Sequence, residues 1–394
     1  MREVKDTIRT INSETIYRER YGKNPSAASQ SPGRVEILGN HTDYNGGYVL
    51  TTAIDKSVTM HGEALEEEAV ILYSQVMNQE AIFPLLDIKK SVAHPWANYV
   101  LGVIDELRKI GVRAGGFRAV IGGDLPIGGG LSSSAALETA TAMLIQALYP
   151  YSIEKMRLAI LCRRAENLFV GMPCGILDPF SVIFGEKDAM LFLDCDNLSH
   201  KVLSIKPPVP AIVLCDSGVK HALVDGEYKS RRHQCEAAAQ IMGDRLSRPV
   251  RFLRDVTIME FLELEDMLDD VLRRRTRHVM YENQRVLHGV AALQINDVKH
   301  LGELMRISHE SSRDNFENTC PELDVLVEEA AQIPGCFGSK VTGGGFGGAT
   351  VNLVAPDHVE SFCEAIKERF ADRMGKVCKT TVCAIGDGAR ILYK

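Results

Sequence analysis

The pattern of apolar and polar residues predicts a strand-rich first half of the chain. Apolar runs of strand length are separated there by clusters of Gly, Asn, Asp and Ser, which is typical of strands joined by turns. The polar stretch 24–31 is expected to be a loop. The predicted strands cover residues 35–38, 48–54, 58–60, 70–73, 81–83, 117–121, 189–193 and 202–205.

Helical spacing of apolar residues appears between these runs. The segment 3–22 places apolar residues at helical intervals among charged ones, and 96–110 and 153–169 show similar patterns. The segment 132–148 is apolar nearly all round, which indicates a buried helix.

The second half is mostly helical and follows a proline-rich segment, Lys206-Pro207-Pro208-Val209-Pro210. This segment is the best linker candidate, and 394 residues exceed what one ordinary core holds. We therefore predict an α+β chain of two domains, 1–206 and 207–394. The predicted strands of the second domain are 211–215, 349–354 and 380–384, and its predicted helices are 231–243, 258–274, 278–294, 298–316, 321–332 and 356–373.

Composition and charge narrow the class of protein. Apolar residues make up 45% and charged residues 25% of the chain, which is typical of a globular protein. The net charge of −7 argues against a nucleic-acid partner, although a small anion can still bind in a local pocket. Ten cysteines lie scattered without a CxxC pair, and neither a signal peptide nor a membrane-spanning apolar run is visible. We expect a cytoplasmic protein with reduced thiols and no membrane partner.

Three glycine-rich segments carry the candidate chemistry. The first, 32–47, gathers Arg34, Asn40, His41 and Asp43 around a predicted turn, where such side chains can hydrogen-bond several hydroxyl groups at once. An ordinary polar hairpin loop is the alternative.

The second glycine-rich segment, 122–136, runs through three consecutive glycines directly into a predicted helix. Free N–H groups and the dipole at a helix start attract anions, and Ser132, Ser133 and Ser134 add hydroxyl donors and a possible Mg²⁺ ligand. The segment lacks the Gly-Lys-Ser/Thr ending of a Walker loop. A serine-capped helix is the alternative, but three glycines exceed what a cap needs.

The third segment, 341–349, and two carboxylates complete the candidates. Backbone as rich in glycine as this can approach a ligand closely, although a simple turn between strands is nearly as good an explanation. Glu166 lies at the edge of an apolar helix face, where a metal or cation would compensate its charge. Asp178 stands among apolar residues before Pro179, a position that also suits a turn or cap residue.

Taken together, the three segments resemble the galactokinases of the GHMP kinase superfamily. Residues 33–47, 126–136 and 338–348 are similar to the three motifs of that family, and 96–99, 171–175, 227–235 and 320–324 extend the resemblance over nearly the whole chain. The resemblance implies a two-domain fold with the active site in the interdomain cleft. It further implies ATP-dependent phosphorylation of the anomeric C1 hydroxyl of galactose, and a place in galactose metabolism.

The resemblance also implies roles for individual residues. Asp178 would face the C1 hydroxyl as base or electrostatic organiser, with Arg34 beside it. Trp96 and Tyr99 would form the adenine pocket, although core packing is the alternative for Trp96. The sugar would be bound by Asn40, His41, Asp43, Gly175 and Tyr228; the phosphates by Gly128, Gly129, Gly130, Leu131, Ser132 and Ser133; and Mg²⁺ by Ser134 and Glu166.

Three departures from the family pattern are visible: Asn40 where glutamate is usual, Pro179 where glutamine is usual and Thr51 where proline is usual. The usual glutamate faces the C6 end of the sugar, so Asn40 predicts weaker selection for galactose. A kinase for galacturonate, fucose or arabinose is therefore one alternative. A non-catalytic galactose sensor is another, but the intact segment 132–136 favours an enzyme. The expected partners are a sugar and ATP, in a monomer or weak homo-oligomer.

Overall fold

The computed structural model describes residues 12–126, 130–219 and 224–394 of the chain. Residues 3–11 of the predicted helix 3–22 therefore lie outside the described residues, and the rest of the prediction contains a helix, Ser13–Tyr21. Within the described part the chain forms twelve strands: β1 Ala27–Leu38, β2 Tyr48–Leu65, β3 Ala69–Ser74, β4 Gln79–Pro84, β5 Gly116–Gly123, β6 Ala189–Asp194, β7 His200–Ser204, β8 Ala211–Asp216, β9 Cys336–Val341, β10 Ala349–Val354, β11 Lys379–Cys383 and β12 Arg390–Tyr393.

Eleven α-helices accompany these strands over the same described ranges. They are α1 Ser13–Tyr21, α2 Asn98–Lys109, α3 Ser133–Leu148, α4 Lys155–Arg164, α5 Leu177–Phe184, α6 Val224–Leu246, α7 Ile258–Leu264, α8 Asp270–Gln294, α9 Val298–Ser311, α10 Pro321–Ala330 and α11 Val359–Met374. A π-helical turn, Ala165–Val170, continues α4, and a second one follows α9 at Ser312–Phe316.

The strands form two sheets. The larger has eight strands in the order β12-β1-β2-β5-β3-β4, with β6 paired to β2 and β7 to β6; only β3 and β5 run parallel in it. The smaller is antiparallel in the order β11-β8-β10-β9. Because β12 returns to pair with β1, the end of the chain belongs to the sheet built by its first half. The division at residues 206 and 207 stays a prediction.

A shared apolar core holds the two sheets together. Val35 and Ile37 of β1 pack in one buried cluster with Leu214 of β8 and Leu353 of β10. A separate core lies under α2–α5 on the larger sheet. The two sheets are thus in direct contact along β1, the strand that carries Arg34.

The prediction of a loop over 24–31 is wrong for residues 27–31, which begin β1. Ser29 and Ser31 are buried, and the Ser29 hydroxyl donates to the carbonyl of Ala140. Because β1 pairs on both edges and is covered on both faces, its polar residues do not mark the surface. Similarly, Asp55 and Lys56 break the apolar pattern of β2 without ending the strand.

Several other boundaries differ from the predicted ones. The helices predicted over 258–274 and 278–294 are instead α7 and the longer α8, separated near Asp269, whose side chain caps α8 by accepting the N–H of Leu272. Helix α5 and strands β9 and β12 were not predicted. Among the described residues, no helix combines the length and the apolar character needed to cross a membrane.

Candidate active site

A partly buried ion pair between Arg34 and Asp178 lies at the centre of the candidate site. The Arg34 Nε donates to Asp178 Oδ1 at 2.7 Å, and Nη2 lies 2.6 Å from the same oxygen. The Ser132 hydroxyl donates to Asp178 Oδ2 at 2.5 Å. Arg34 is 6% exposed and its Nη1 also donates to the carbonyl of Gly130. The Asp178 carboxylate is therefore held by two separate donors.

Local structure explains how these residues meet. Asp178 is the second residue of α5, so it lies in the first turn of a helix, and its side chain does not cap that helix. Gly33 permits the approach of the glycine-rich loop, because a β-carbon there would meet the Leu131 carbonyl oxygen at 2.9 Å. The Arg34 N–H donates to that same carbonyl at 3.1 Å. The first and second glycine-rich segments are thus in direct contact.

His41 is a neutral, fixed side chain. It is 4% exposed, and burial lowers its pKa to about 3. Its Nε2 lies 3.1 Å from the carbonyl of Gly344, which can only accept, so Nε2 carries the proton. Its Nδ1 then accepts from the Tyr44 hydroxyl at 2.9 Å. This arrangement ties the first glycine-rich segment to the third.

The Asp43 carboxylate lies directly against Gly175. A β-carbon at Gly175 would overlap the Asp43 carboxylate, so only glycine fits at that position. Burial, and secondly the nearby charge of Asp178, raises the pKa of Asp43 to about 7. The Asp43 carboxylate therefore favours a hydrogen-bond donor that would stabilise its charged form.

One cavity of about 230 Å³ unites the predicted catalytic and sugar-binding residues. Its lining combines charged, polar and aromatic side chains with backbone of the third glycine-rich segment. The lining residues are Arg34, Glu36, Asn40, His41, Asp43, Glu166, Met172, Pro173, Cys174, Gly175, Leu177, Asp178, Tyr228, Lys229, Gly343 and Gly344.

Asn40 lines this cavity, but its side chain is already engaged by the protein. Its Nδ2 donates to the carbonyl of Gly343 at 2.9 Å, and its Oδ1 accepts from Asn318 Nδ2 at 2.9 Å and from the Ser312 hydroxyl at 3.4 Å. The residue is 1% exposed. Both polar atoms of the Asn40 amide thus have protein partners. The predicted contact of Asn40 with the sugar, and the weaker selection for galactose, stay predictions.

The loop that carries Asn40 and His41 is held by a residue that the sequence motifs did not reveal. Glu282 of α8 accepts the N–H of Gly39 at 2.9 Å and that of Asn40 at 3.2 Å, together with the Ser308 hydroxyl. Arg285 donates to its other oxygen at 2.5 Å. Glu282 is fully buried, which by itself would raise its pKa, but Arg285, His278, Lys340 and the Ser308 hydroxyl together lower the pKa of Glu282 to about 2. Only its placement at an apolar face of α8 signals such a role.

A second cavity of about 190 Å³ contains both residues predicted for adenine. Trp96 and Tyr99 line it, together with Ser133 and Ser134 of the helix start. Val76 and Met77 also line it, although 61% and 43% of their surfaces are exposed. Exposed apolar side chains in a concave site indicate a place for a flat apolar ligand.

The start of α3 is open to an anion. Ser132 does not cap the helix with its side chain, because its hydroxyl is bonded to Asp178. The N–H groups of the first turn thus lack the serine cap that was the alternative explanation. Gly130 and Leu131 lie beside this helix start, whereas Gly128 and Gly129 lie outside the described residues.

Glu166 and Ser134 lie between the two cavities and fit a magnesium ion. Glu166 lines the first cavity and Ser134 the second, and the nearby Ser134 hydroxyl partly offsets the rise in the pKa of Glu166. Glu166 is 7% exposed, its Oε2 has no partner among the described residues, and burial raises its pKa to about 7. A cation would compensate this carboxylate. No group of three or more His, Cys, Asp or Glu suited to a metal occurs in the described ranges, so phosphate oxygens and water would complete the coordination.

Glu138 is a second carboxyl group near Glu166 that sequence reasoning missed. It is fully buried on α3, one turn after Ser134, and neither of its oxygens has a partner in the described part of the chain. Burial, and then the charges of Glu166 and Asp178, raises its pKa well above the usual value. Glu138 is therefore a neutral acid that adds no negative charge to the site.

Comparison with known proteins identifies the class first. Models of the GHMP kinases match residues 98–186, as the N-terminal domain, and 290–372, as the C-terminal domain, and a galactokinase galactose-binding signature matches residues 15–63. The chain is thus a GHMP kinase. The predicted α+β fold class and the resemblance to this superfamily are confirmed.

Relatives narrow the class to one family. The chain is 38% identical to the galactokinase of Roseiflexus sp. over 94% of each chain, and 38% identical to that of Homo sapiens over 95% of each. The crystal structure of Lactococcus lactis galactokinase complexed with galactose superposes with a TM-score of 0.90 at 32% identity, covering 95% of this chain and 98% of the other. The chain belongs to the galactokinase family, a family of sugar kinases.

Replacing Glu282 by Gln should destabilise the protein in a pH-dependent way. A carboxylate whose pKa falls from 4.5 to about 2 on folding contributes about 3 kcal/mol above pH 4.5, and this contribution is lost as the pH falls toward 2. Urea unfolding at pH 7 and pH 3 should show a larger difference between wild type and Glu282→Gln at pH 7. The exposed Glu303→Gln serves as control. An equal loss at both pH values would mean that the charge of Glu282 is irrelevant.

Replacing Asp43 by Asn should stabilise the sugar-free protein. The folded-state pKa of about 7 lies above the unfolded value of 3.8, so wild type loses stability as the pH rises from about 4 to 7. The gain in Tm of Asp43→Asn over wild type should be larger at pH 8 than at pH 5. Sugar binding, measured by calorimetry, should weaken in the same variant. Asp372→Asn on the exposed face of α11 is the control, and an identical Tm difference at both pH values would contradict the assignment.

Proposed function

We propose that this protein transfers the γ-phosphoryl group of ATP to the C1 hydroxyl of galactose. The observation that carries the proposal is the position of Asp178, held by Arg34 and Ser132 in the sugar-sized cavity next to the Ser134–Glu166 pair. The galactose-bound relative and the galactose-binding signature over residues 15–63 support galactose as the sugar.

Asp178 is proposed to orient the attacking hydroxyl. Its two oxygens accept hydrogen bonds from Arg34 and Ser132 and retain lone pairs for the sugar. As the C1 oxygen bonds to the γ-phosphorus and the bond to ADP breaks, the hydroxyl proton passes to the Asp178 carboxylate. The Arg34 guanidinium offsets the negative charge that collects at this point.

The sugar is proposed to lie between Asp43, His41 and Tyr228. Asp43 would accept hydrogen bonds from sugar hydroxyls, which compensates the cost of its buried charge. The aromatic rings of His41 and Tyr228 lie 5.3 Å apart and close the cavity on one side. Gly175 leaves the room that the Asp43 carboxylate needs.

The nucleotide is proposed to occupy the second cavity, with its phosphates at the start of α3. Trp96 and Tyr99 would contact the adenine, and the segment 128–133 would surround the phosphates. Ser134 and Glu166 would hold Mg²⁺, which, when bound, neutralises charge on the phosphate oxygens. In this proposed arrangement the metal ligands lie between the nucleotide and the sugar.

The purified protein should convert ATP to ADP only when Mg²⁺ and a suitable sugar are both present. The product should be a sugar 1-phosphate, detected by coupled ADP release and by ³¹P NMR. Omitting either the metal or the sugar provides the control. Sugar binding in calorimetry without ADP formation would instead favour a galactose sensor.

Replacing Asp178 by Asn should lower kcat much more than it weakens sugar binding. Loss of one well-placed base or charge costs roughly 10²–10⁴-fold in rate. Arg34→Ala should be similarly damaging, because it removes the partner charge. Asp372→Asn, exposed on α11, should keep full activity. The smallest loss in that range leaves about a hundredth of the wild-type rate. An activity above about a tenth of wild type in Asp178→Asn would therefore contradict the role proposed here.

A further inference from the structure

Glu36 is a carboxylate in the wall of the sugar cavity to which no role has been given so far. It follows Arg34 by two residues on β1, so both side chains leave the strand on the same face. Two residues of a strand span about 6.6 Å. Both residues line the cavity, so β1 places one charged group beside Asp178 and a second one farther along the same wall.

The charge of Glu36 is compensated by a residue from the other sheet. Lys340 of β9 is fully buried and its Nζ donates to Glu36 Oε1 at 2.8 Å, across 304 positions of sequence. Glu36 itself is 5% exposed. A buried pair of this kind costs more to desolvate than a pair of apolar residues would, so its presence in a cavity wall suggests a role other than stability.

Hydrogen-bonding capacity distinguishes Glu36 from its neighbour Asn40. The Asn40 amide already has partners at both its nitrogen and its oxygen. Among the described residues, the second oxygen of Glu36 has only a long contact of 3.5 Å from Asn40 Nδ2. Each carboxylate oxygen can accept two hydrogen bonds, so Glu36 retains acceptor capacity toward the cavity.

We propose that Glu36 is a specificity-determining residue of the sugar site. It accepts a hydrogen bond from a sugar hydroxyl on the side of the ring away from C1, and its charge repels sugars that carry a carboxylate there. The inference rests on the proposed function, because the C1 end is defined by Asp178. It also reverses the expectation from Asn40: the negative charge that disfavours acidic sugars is present, four residues earlier in the chain.

The ion pairs next to Glu36 support the repulsion, and Lys229 is a further cation in the cavity lining, outside these pairs. Lys340 and Arg34 are each already paired, with Glu36 and Asp178 respectively. A sugar carboxylate near Glu36 would therefore meet the negative charge of Glu36. It would not gain an attraction to Lys340, because the Lys340 ammonium group is already paired with Glu36. Asp43, in the same cavity, would add a further negative charge on ionisation.

Two double variants test the proposal without leaving a buried charge unpaired. Glu36→Leu/Lys340→Met removes the acceptor, and Glu36→Gln/Lys340→Met keeps an acceptor but removes the charge. Glu106→Leu/Arg164→Met, which removes another ion pair with a buried carboxylate outside both cavities, is the matched control. Thermal unfolding establishes that each variant is folded.

Galactose and its 2-, 3-, 4- and 6-deoxy derivatives serve as probes, in kinetics and in calorimetric binding. For Glu36→Leu/Lys340→Met, kcat/KM for galactose should fall roughly 10- to 100-fold, mainly through KM. One deoxy sugar, the one that lacks the bound hydroxyl, should show no such loss. An equal loss for every sugar, or no loss for any, would overturn the proposal.

Galacturonate tests the repulsion. The ratio of kcat/KM for galacturonate to kcat/KM for galactose should rise at least about tenfold in Glu36→Gln/Lys340→Met, because the negative charge that repels the galacturonate carboxylate is removed. An unchanged ratio would overturn this half of the proposal. If wild type phosphorylates none of the sugars, the proposed function fails, and the calorimetric deoxy-sugar series still decides the role of Glu36.

Discussion

The carboxylate of Glu282 is the constraint on which the loop that carries Asn40 and His41 depends. The chain leaves β1 through Gly39 and His41, both of which have positive φ, so the backbone cannot continue its strand pairing there. The N–H groups of Gly39 and Asn40 would be buried without partners, at a cost of about 1–3 kcal/mol each. Glu282 accepts both, and Arg285 compensates its charge. The loop is thus fastened to a helix of the second half of the chain.

Two ion pairs in the cavity wall likewise connect distant parts of the chain. Arg34 with Asp178 and Glu36 with Lys340 each join segments far apart in sequence, and each pair includes a residue of β1. Such pairs are weak sources of stability, since apolar residues of equal volume often serve as well. They fix the direction of polar groups in a wall that faces ligand, which apolar packing cannot do. Stability alone would favour apolar residues at these positions of β1, whereas the orientation of polar groups requires the charged ones.

Much of the site was predictable from the sequence because its residues lie in short, compositionally unusual segments. Arg34, His41 and Asp43 stand within one glycine-rich turn, and Ser132–Ser134 open a helix directly after another. The cavity lining brings the predicted sugar residues together, including Gly175 and Tyr228. The roles assigned to these residues remain predictions.

The residues that were missed lie on regular elements, outside the three glycine-rich segments. Glu282 stands at an apolar face of α8 and Glu138 on the nearly all-apolar α3, and this placement is the signal that the sequence offers for their burial. Lys340 lies on strand β9, which was not predicted, and its contact with Glu36 of β1 is visible only in the structure. The extension of β1 over 27–31 was hidden because polar residues buried on a doubly paired strand look like a loop.

The link between Glu36 and Lys340 limits how the specificity of this protein can be engineered. A designer who transplants the segment 33–47 from a relative with a neutral residue at position 36 would remove the only acceptor described for the Lys340 ammonium group. The transplanted segment could still form its strand, but the buried Lys340 ammonium group would be left without a charge partner. The first glycine-rich segment and Lys340, which directly precedes the third, therefore have to be exchanged together, although they stand far apart in the chain.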